Sequence, residues 1–200
     1  MSYQLFGSYT SPFARKIRLL LMNEPINEMK FEFTPINYFE EAGNKLLREK
    51  SPFNQLPVLM DGDQAIYESR VMFNYLAQKY KLKALSIAEE NILSAIDTCL
   101  SSAINLFSLE KGGIDIHSGQ NYFIEREKNR IPSLLNYITD WTRQQKPEVN
   151  WNYLTMSLYS ALVWMEFRKV YNLKEHPEMK LFLARFKNCP SVKETEIPGV

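Results

Sequence analysis

Three short segments of the chain carry residues whose types and spacing could bind and activate a small anion. In the first, Tyr9–Arg15 (YTSPFAR), Ser11 precedes a proline at the start of a predicted helix. A hydroxyl group there lies beside unpaired backbone N–H groups and the positive end of the helix dipole, which stabilise a thiolate. One hydrogen bond to a charged acceptor contributes about 1.5–3 kcal/mol, comparable with the ~2.7 kcal/mol that lowers a thiol pKa by two units. The alternative is that Ser11 only caps the helix, which stabilises it by about 1 kcal/mol.

The second segment, Asn54–Val58 (NQLPV), places Pro57 inside the apolar run Leu56–Met60. Proline donates no hydrogen bond to a sheet, so Pro57 is expected at the start of a strand or on an edge strand. A cis Leu56–Pro57 bond would turn the Leu56 backbone outward, free to pair with an extended peptide. Bonds before proline are far more often trans, so the residues alone favour an ordinary proline that opens an edge strand.

The third segment, Tyr67–Arg70 (YESR), precedes another predicted helix. Ser69 is suited to cap this helix. The alternative is a binding role, in which the Ser69 hydroxyl and N–H groups bind a carboxylate and Glu68 receives an ammonium group. The residues of this segment do not decide between the two.

Hydrophobic periodicity predicts an α/β domain over residues 1–80 that positions all three segments. Strands are predicted at Tyr3–Gly7, Lys30–Ile36, Leu56–Met60 and Gln64–Tyr67, with helices beginning at Pro12 and Ser69 and a further helix over 39–50. In the first helix the apolar side chains share one face, and the basic ones are expected mostly on other faces. The apolar side chains are Ile17, Leu20 and Leu21, and the basic side chains are Arg15, Lys16 and Arg18. The order β-α-β-α-β-β-α predicts a thioredoxin-like domain.

A second, all-helical domain is predicted over residues 87–200, after a short polar linker at Lys81–Ser86. Helical periodicity covers residues 87–110, 118–144, 152–172 and 175–188. Long helices fit this region because no proline lies between Pro57 and Pro132, and proline interrupts helices. Cys99 lies on an apolar stripe of the first of these helices, where a buried and unreactive thiol is expected.

Composition and charge exclude several classes of protein. Lys and Arg exceed Asp and Glu by 24 − 23 = +1, so no net charge draws the molecule to nucleic acids or anionic lipid surfaces. The N-terminal residues show no secretory signal and no apolar run that could span a membrane. Cys99 and Cys189 cannot form a disulfide framework or a four-ligand zinc site, and His117 and His176 have no neighbouring ligands. We therefore expect a cytoplasmic protein without a metal and without a nucleic-acid or membrane partner.

Taken in order, the three segments resemble the glutathione S-transferase superfamily. The matching features are Ser-Pro-Phe-Ala at the first helix, Leu-Pro-Val-Leu before a hairpin, and Glu-Ser at the next helix. Ala161–Arg168 (ALVWMEFR) and Asn188–Val192 (NCPSV) resemble the late helices of bacterial members. The resemblance covers nearly the whole chain and implies a thioredoxin-like domain followed by an all-α domain.

The resemblance also implies a role for each candidate residue. Ser11 takes the position of the catalytic Ser or Cys, and Pro57 takes that of the superfamily's cis-proline, which reverses the expectation from the residues alone. Glutathione is implied as co-substrate: Gln55 would bind its glycine carboxylate, the Leu56 backbone its cysteinyl unit, and Glu68 and Ser69 its γ-glutamyl end. The implied function is activation of the glutathione thiol for attack on a small apolar electrophile, in a homodimer.

Departures from the superfamily pattern bear on the alternatives. Omega-type and glutaredoxin-like relatives have Cys where Ser11 stands, so disulfide chemistry through a protein cysteine is not expected here. The Ser-Ser-Cys signature of zeta-type isomerases is missing, which weakens the case for a glutathione-dependent isomerase. Another alternative is a non-catalytic interaction protein like the stringent-starvation-type proteins, although the retained Ser11, Glu68 and Ser69 favour an enzyme. Near residue 152 the usual helix-opening box ends in Thr155 rather than Asp, which raises a question of stability.

Overall fold

The structure is a computed structural model that describes residues 2–117, 121–144 and 150–198. Four strands lie in this part of the chain: β1 (Tyr3–Gly7), β2 (Phe31–Pro35), β3 (Val58–Asp61) and β4 (Gln64–Tyr67). The α-helices of the N-terminal part are α1 (Pro12–Leu21), α2 (Glu41–Lys50) and α3 (Ser69–Lys79). Those that follow are α4 (Ile87–Lys111), α5 (Tyr122–Gln144), α6 (Tyr153–Arg168), α7 (Pro177–Phe186) and α8 (Pro190–Glu194).

The predicted fold class is confirmed: a thioredoxin-like sheet and helix domain is followed by a helical region. The element order over residues 1–80 is the predicted one. The predicted helix over 152–172 is shorter, because α6 ends where Lys169 adopts a left-handed conformation with φ 56°. α5 continues through Pro132. The first three residues of the helix predicted over 118–144 lie outside the described residues.

The sheet brings three chain segments to one of its ends. Its strand order is β2-β1-β3-β4, with β1 and β2 parallel and the other pairs antiparallel. Phe6 pairs with Val58, and Val58 pairs in turn with Tyr67. At this position, which we call the Phe6 end of the sheet, the chain leaves β1, enters β3 and leaves β4. The segments that follow β1, precede β3 and follow β4 are therefore neighbours.

The chain divides into two compact units, Met1–Ala84 with Asn188–Val200, and Leu85–Lys187. This differs from the predicted helical domain over residues 87–200, because the last residues pack with the N-terminal unit. Hydrogen bonds explain the difference. Arg15 donates to the Val192 carbonyl at 3.3 Å, and Arg18 donates to the Glu194 carbonyl at 3.1 Å.

The basic residues of α1 correct a second prediction. Arg15, Lys16 and Arg18 were expected mostly on faces other than the apolar one, yet all three are buried. Periodicity failed here because the residues around α8 cover this side of α1 and supply carbonyl acceptors for both guanidinium groups. The ammonium group of Lys16 lies 4.9 Å from the centre of the Phe13 ring.

Within the second unit, α4 is the long central helix. It packs against α5 and α6, and its Cys99 thiol is buried as predicted and donates to the Ile131 carbonyl at 3.9 Å. By length and composition alone α4 could cross a membrane, with a mean hydropathy of 1.5 over its most apolar window. Half of that window is buried inside the protein, and the core helices of soluble proteins pass the same test.

The start of α6 answers the question raised by Thr155. The Asn152 side chain accepts from the Thr155 N–H at 3.1 Å, and the Thr155 hydroxyl oxygen accepts from the Asn152 N–H at 2.9 Å. This reciprocal pair is a capping box in which Thr155 replaces the acidic residue. The fully buried Thr155 hydroxyl also donates to the Asn150 carbonyl at 3.0 Å, so the helix start is satisfied without a buried carboxylate.

At the end of the sheet opposite the Phe6 end, hydrogen bonds connect Asp61 of β3 to α3. Its carboxylate accepts hydrogen bonds from the Tyr75 hydroxyl at 2.5 Å and from the Lys79 ammonium group. Burial alone would raise the pKa of the Asp61 carboxyl, but these two hydrogen bonds outweigh it and hold the pKa below 3.8. Asp61 is therefore ionised in the folded protein to a lower pH than in the unfolded chain.

We expect Asp61→Asn to lower the free energy of unfolding by about 1 kcal/mol near neutral pH, because it weakens the hydrogen bonds from Tyr75 and Lys79. The loss is no larger because Lys79 is partly exposed and solvent weakens its ion pair with Asp61. A carboxyl whose pKa is depressed by folding stabilises above its unfolded pKa, and this contribution disappears as the pH falls through the folded pKa. Urea unfolding of both proteins at several pH values checks this. Asp63→Asn, a change in the same hairpin, is the control. A constant difference from neutral pH to pH 2 would contradict the prediction.

Candidate functional site

All six residues predicted to form a site lie in segments that meet at the Phe6 end of the sheet. Ser11 follows β1, the residues Gln55, Leu56 and Pro57 precede β3, and Glu68 and Ser69 follow β4. The sheet register therefore joins segments that are up to 58 positions apart in the sequence.

Ser11 is the N-cap residue of α1. Its backbone is extended (φ −79°, ψ 120°), and its half-buried hydroxyl oxygen accepts from the Ala14 N–H at 3.2 Å. The capping interpretation is therefore confirmed, but it does not exclude the other. A serine hydroxyl has one hydrogen to donate in addition to its acceptor positions, and capping uses only an acceptor position. The same side chain can cap α1 and donate a hydrogen bond to an anion.

Gly7 allows α1 to start close to the sheet. A Cβ atom at this position would lie 2.8 Å from the Ala14 Cβ and 2.9 Å from the Phe33 ring. Real Cβ atoms essentially never approach so closely, so any other residue would displace the first turn of α1 or the ring. Gly7 thus fixes where the Ser11 hydroxyl lies, although it carries no chemistry itself.

The segment before β3 presents backbone groups outside the sheet. The Leu56–Pro57 bond is cis, as the family resemblance implied and the residues alone did not. Strand pairing begins at Val58, so the N–H and C=O groups of Leu56 lie just outside the ladder. Gln55 is exposed, and its backbone N–H donates to the Ser51 hydroxyl at 3.3 Å. Leu56 can therefore pair with an extended peptide beside an exposed amide side chain.

The start of α3 corrects the capping interpretation of Ser69. The N-cap position belongs to Glu68, whose side chain makes no capping hydrogen bond, and Ser69 is the first helical residue. Ser69 is buried and Glu68 is exposed. Glu68 has φ 61° and ψ 125°, a conformation that costs a non-glycine residue about 1–3 kcal/mol. The start of α3 therefore offers the positive end of a helix, which favours an anion, beside the Glu68 carboxylate, which favours a cation.

The cysteines and histidines do not add a second centre among the described residues. Burial raises the pKa of the Cys99 thiol to about 12, so this thiol is unreactive at neutral pH. Cys189 is half-buried directly before α8. In residues 2–117, 121–144 and 150–198 no group of three His, Cys, Asp or Glu side chains comes together that could hold a metal.

Comparisons with known proteins find similarity to glutathione S-transferases. Residues 5–84 match the family model described as "Glutathione S-transferase, N-terminal domain". A glutathione S-transferase from Dirofilaria immitis is 25% identical over 97% of this chain and 91% of its own length. Glutathione S-transferase 3 from Zea mays is 31% identical over 38% of this chain, and the match spans only 34% of that relative's length.

Solved structures show the same fold. A glutathione S-transferase from Methylobacillus flagellatus, determined with glutathione bound, matches with a TM-score of 0.81 at 19% identity, covering 97% of this chain and 98% of that chain. The fold of this chain is therefore that of the glutathione S-transferases. The family model matches 80 of the chain's 200 residues.

Sequence reasoning missed two residues that shape the site. Gly7 was interpreted only as the end of a strand, although a glycine also allows close approach of neighbouring elements. Asn54 adopts a positive φ of 52° before Gln55, and its residue type is one of the few that tolerate this conformation. Both act on the backbone, so neither stood out as a group that binds or reacts.

Proposed function

We propose that the chain is a cytoplasmic glutathione S-transferase of the bacterial type that binds glutathione at the Phe6 end of the sheet. The observation that carries this proposal is the meeting of three separate groups there: a hydroxyl at a helix start, free strand-edge backbone, and a helix start beside a carboxylate. These groups suit a thiol, an extended peptide backbone, and an α-amino acid end. Glutathione combines all three.

In this proposal each group binds one part of glutathione. The Leu56 backbone, next to the buried Pro57, pairs with the cysteinyl unit, and Gln55 binds the glycine carboxylate. The γ-glutamyl carboxylate accepts from the Ser69 N–H and hydroxyl groups at the start of α3, while Glu68 accepts from the γ-glutamyl ammonium group. Glutathione is then held at both ends, which places its sulfur near Ser11.

Ser11 donates its hydroxyl hydrogen to the sulfur and favours the thiolate over the thiol. The thiol proton passes to water, and the thiolate attacks an electrophilic carbon of a small apolar substrate. The new S–C bond forms as the leaving group departs with its bonding electrons. Catalysis consists of nucleophile activation and positioning, which needs neither a metal nor a protein cysteine.

Retention on immobilised glutathione, followed by elution with free glutathione, tests the binding part of this proposal. Conjugation is then tested by the change in absorbance as glutathione reacts with an activated aryl halide. A protein that is retained but inactive would fit a non-catalytic interaction protein. A protein that converts one double-bond isomer of a substrate into the other without consuming glutathione would fit an isomerase. A protein that is not retained would overturn the proposal.

We expect Ser69→Ala to raise the KM for glutathione with a smaller change in kcat, since Ser69 contacts the γ-glutamyl end, which is remote from the sulfur. A rise of about tenfold corresponds to one lost hydrogen bond of ~1.4 kcal/mol. Steady-state kinetics at varied glutathione concentration measure both constants. A collapse of kcat at unchanged KM would show that Ser69 does not bind the γ-glutamyl end.

We also propose that the protein forms a two-fold homodimer. Val71 on α3 is 53% exposed and Ile87 at the start of α4 is 80% exposed, and a partner chain would cover such apolar side chains. Sedimentation across micromolar concentrations should give the mass of two chains. Sedimentation at the mass of one chain throughout this range would contradict the proposal.

A further inference from the structure

The residues around α8 bind one side of α1 through buried guanidinium groups. Arg15 donates to the Thr195 hydroxyl oxygen and to the Val192 carbonyl, both at 3.3 Å, and Arg18 donates to the Glu194 carbonyl at 3.1 Å. Arg15 is 3% exposed, Arg18 is 6% exposed and Thr195 is fully buried. We call residues 188–198 the C-terminal segment. The C-terminal segment belongs to the N-terminal unit. It contacts a helix that lies about 175 positions earlier in the sequence.

Arg18 also contacts the loop that carries Ser11. Its guanidinium carbon lies 4.5 Å from the centre of the Phe33 ring and 5.5 Å from the centre of the Tyr9 ring. Tyr9 packs edge-on against Phe33, with 5.1 Å between the ring centres. Tyr9 lies between β1 and α1, two residues before Ser11. We call residues 8–11 the site loop. The Arg18 guanidinium group therefore contacts the C-terminal segment, β2 and the site loop.

The spacing along α1 places these groups on the side of the helix where Ser11 lies. Ser11, Arg15 and Arg18 occupy positions i, i+4 and i+7, which share one face of a helix. Helical side chains also lean towards the N-terminus of their helix, which agrees with the position of the Arg18 guanidinium group near Tyr9. Contacts on this face thus bear on the position of the Ser11 hydroxyl.

The C-terminal segment compensates for part of the burial of Arg18. Burial lowers the pKa of the Arg18 guanidinium, although an arginine stays charged in proteins at neutral pH. A buried charge needs hydrogen-bond acceptors or an aromatic face. The Arg18 Nη2 atom donates to the Glu194 carbonyl, and Phe33 and Tyr9 provide aromatic faces. The Nε and Nη1 atoms of Arg18 are buried without a hydrogen-bond partner among the described residues, so the guanidinium group depends on these few contacts.

We infer that Arg18 is a positioning residue for the thiol site: the C-terminal segment fixes its guanidinium group, which in turn holds the Tyr9–Ser11 loop in place. The inference rests on the proposed function only for what the loop does, since the contacts themselves belong to the fold. Arg18 does not touch glutathione. It determines whether the Ser11 hydroxyl reaches the sulfur.

Three variants test this inference. Arg18→Met removes the charge and the planar guanidinium group, and Arg18→Lys keeps the charge but not the planar group. Thr195→Val removes the hydroxyl that accepts from Arg15 and leaves Arg18 in place. Asp61→Asn is the matched control, because it weakens the same unit at the opposite end of the sheet. The readouts are the thiol pKa of bound glutathione, from thiolate absorbance, and the amide chemical shifts of residues 8–11.

We expect Arg18→Met to raise the thiol pKa by about one unit, which reduces the thiolate fraction, and with it kcat near neutral pH, about tenfold. KM should change less, because both ends of glutathione are bound elsewhere. Arg18→Lys and Thr195→Val should shift the pKa in the same direction by a smaller amount. The amide shifts of residues 8–11 should move in all three variants and stay unchanged in Asp61→Asn.

An unchanged thiol pKa and unchanged amide shifts in Arg18→Met, at a temperature where it is fully folded, would overturn the inference. If Arg18→Met does not fold, Arg18→Lys and Thr195→Val decide by the same two readouts. A wild-type complex with the thiol pKa of free glutathione would instead overturn the proposed function. The amide shifts would still decide whether Arg18 positions the loop.

Discussion

Ser11→Ala is expected to lower turnover near neutral pH by one to two orders of magnitude. The substitution removes the hydroxyl that donates to the charged sulfur, and a hydrogen bond to a charged group contributes about 1.5–3 kcal/mol. At ~1.36 kcal/mol per pKa unit, the thiol pKa of bound glutathione should rise by about one to two units. The KM for glutathione should change little, because its two ends are bound by other residues. The pH dependence of kcat with an activated aryl halide measures this effect.

A second substitution at Ser11 separates catalysis from capping. Ser11→Ala also removes the acceptor for the Ala14 N–H, at a cost of about 1 kcal/mol in stability. Ser11→Asp keeps a good N-cap but places a negative charge beside the sulfur, so it should retain stability and lose thiol activation. Ser11→Cys should form a mixed disulfide with oxidised glutathione, because a thiol at a helix start is readily ionised. Full turnover in Ser11→Asp would show that the Ser11 hydroxyl only caps α1.

Gly7→Ala is expected to damage both stability and activity. Its new Cβ would lie 2.8 Å from the Ala14 Cβ, so α1 must move away from the sheet and carry Ser11 with it. Overpacking of this kind costs about 1–3 kcal/mol, and a displacement of ~1 Å at a reacting group can reduce turnover about 100-fold. Thermal unfolding and kcat measure the two effects.

A double substitution shows whether the Cβ contact is the cause. Ala14→Gly removes the atom that the new Cβ would meet, while costing about 1 kcal/mol through lower helix propensity. Gly7→Ala combined with Ala14→Gly should therefore recover part of the lost turnover. The Phe33 ring, at 2.9 Å, is the remaining neighbour and can rotate away. If the two losses simply add, the contact between Gly7 and Ala14 does not position the site.

Local patterns were sufficient to predict the order of the elements. Alternation and helical spacing identified β1, β4 and the start of α3 at their observed residues, because each element has its own hydrophobic face. The site segments could be predicted for the same reason, since each joins a strand to a neighbouring element. Their meeting at one end follows from the sheet register, which strand periodicity alone does not specify.

What the sequence did not predict depends on partners far along the chain. The burial of Arg18 requires the Glu194 carbonyl, 176 positions away, and no helical periodicity contains that information. The same contacts place the C-terminal segment in the N-terminal unit, against the predicted boundary. The positive φ of Glu68 is likewise imposed by the chain around it, because its residue type does not favour a positive φ.

The pKa of the thiol of bound glutathione tests the central claim most directly, namely that this site binds glutathione and activates its sulfur. Thiolate absorbance of the protein–glutathione complex is titrated against pH, with wild type beside Ser11→Ala and free glutathione. The account predicts a thiol pKa about two units below the ~8.5 of a free thiol in the wild-type complex, and one to two units higher in Ser11→Ala than in wild type. A wild-type curve that coincides with free glutathione would contradict thiol activation. Superimposed wild-type and Ser11→Ala curves at a lowered pKa would move the role of activator from Ser11 to Tyr9 or Thr10.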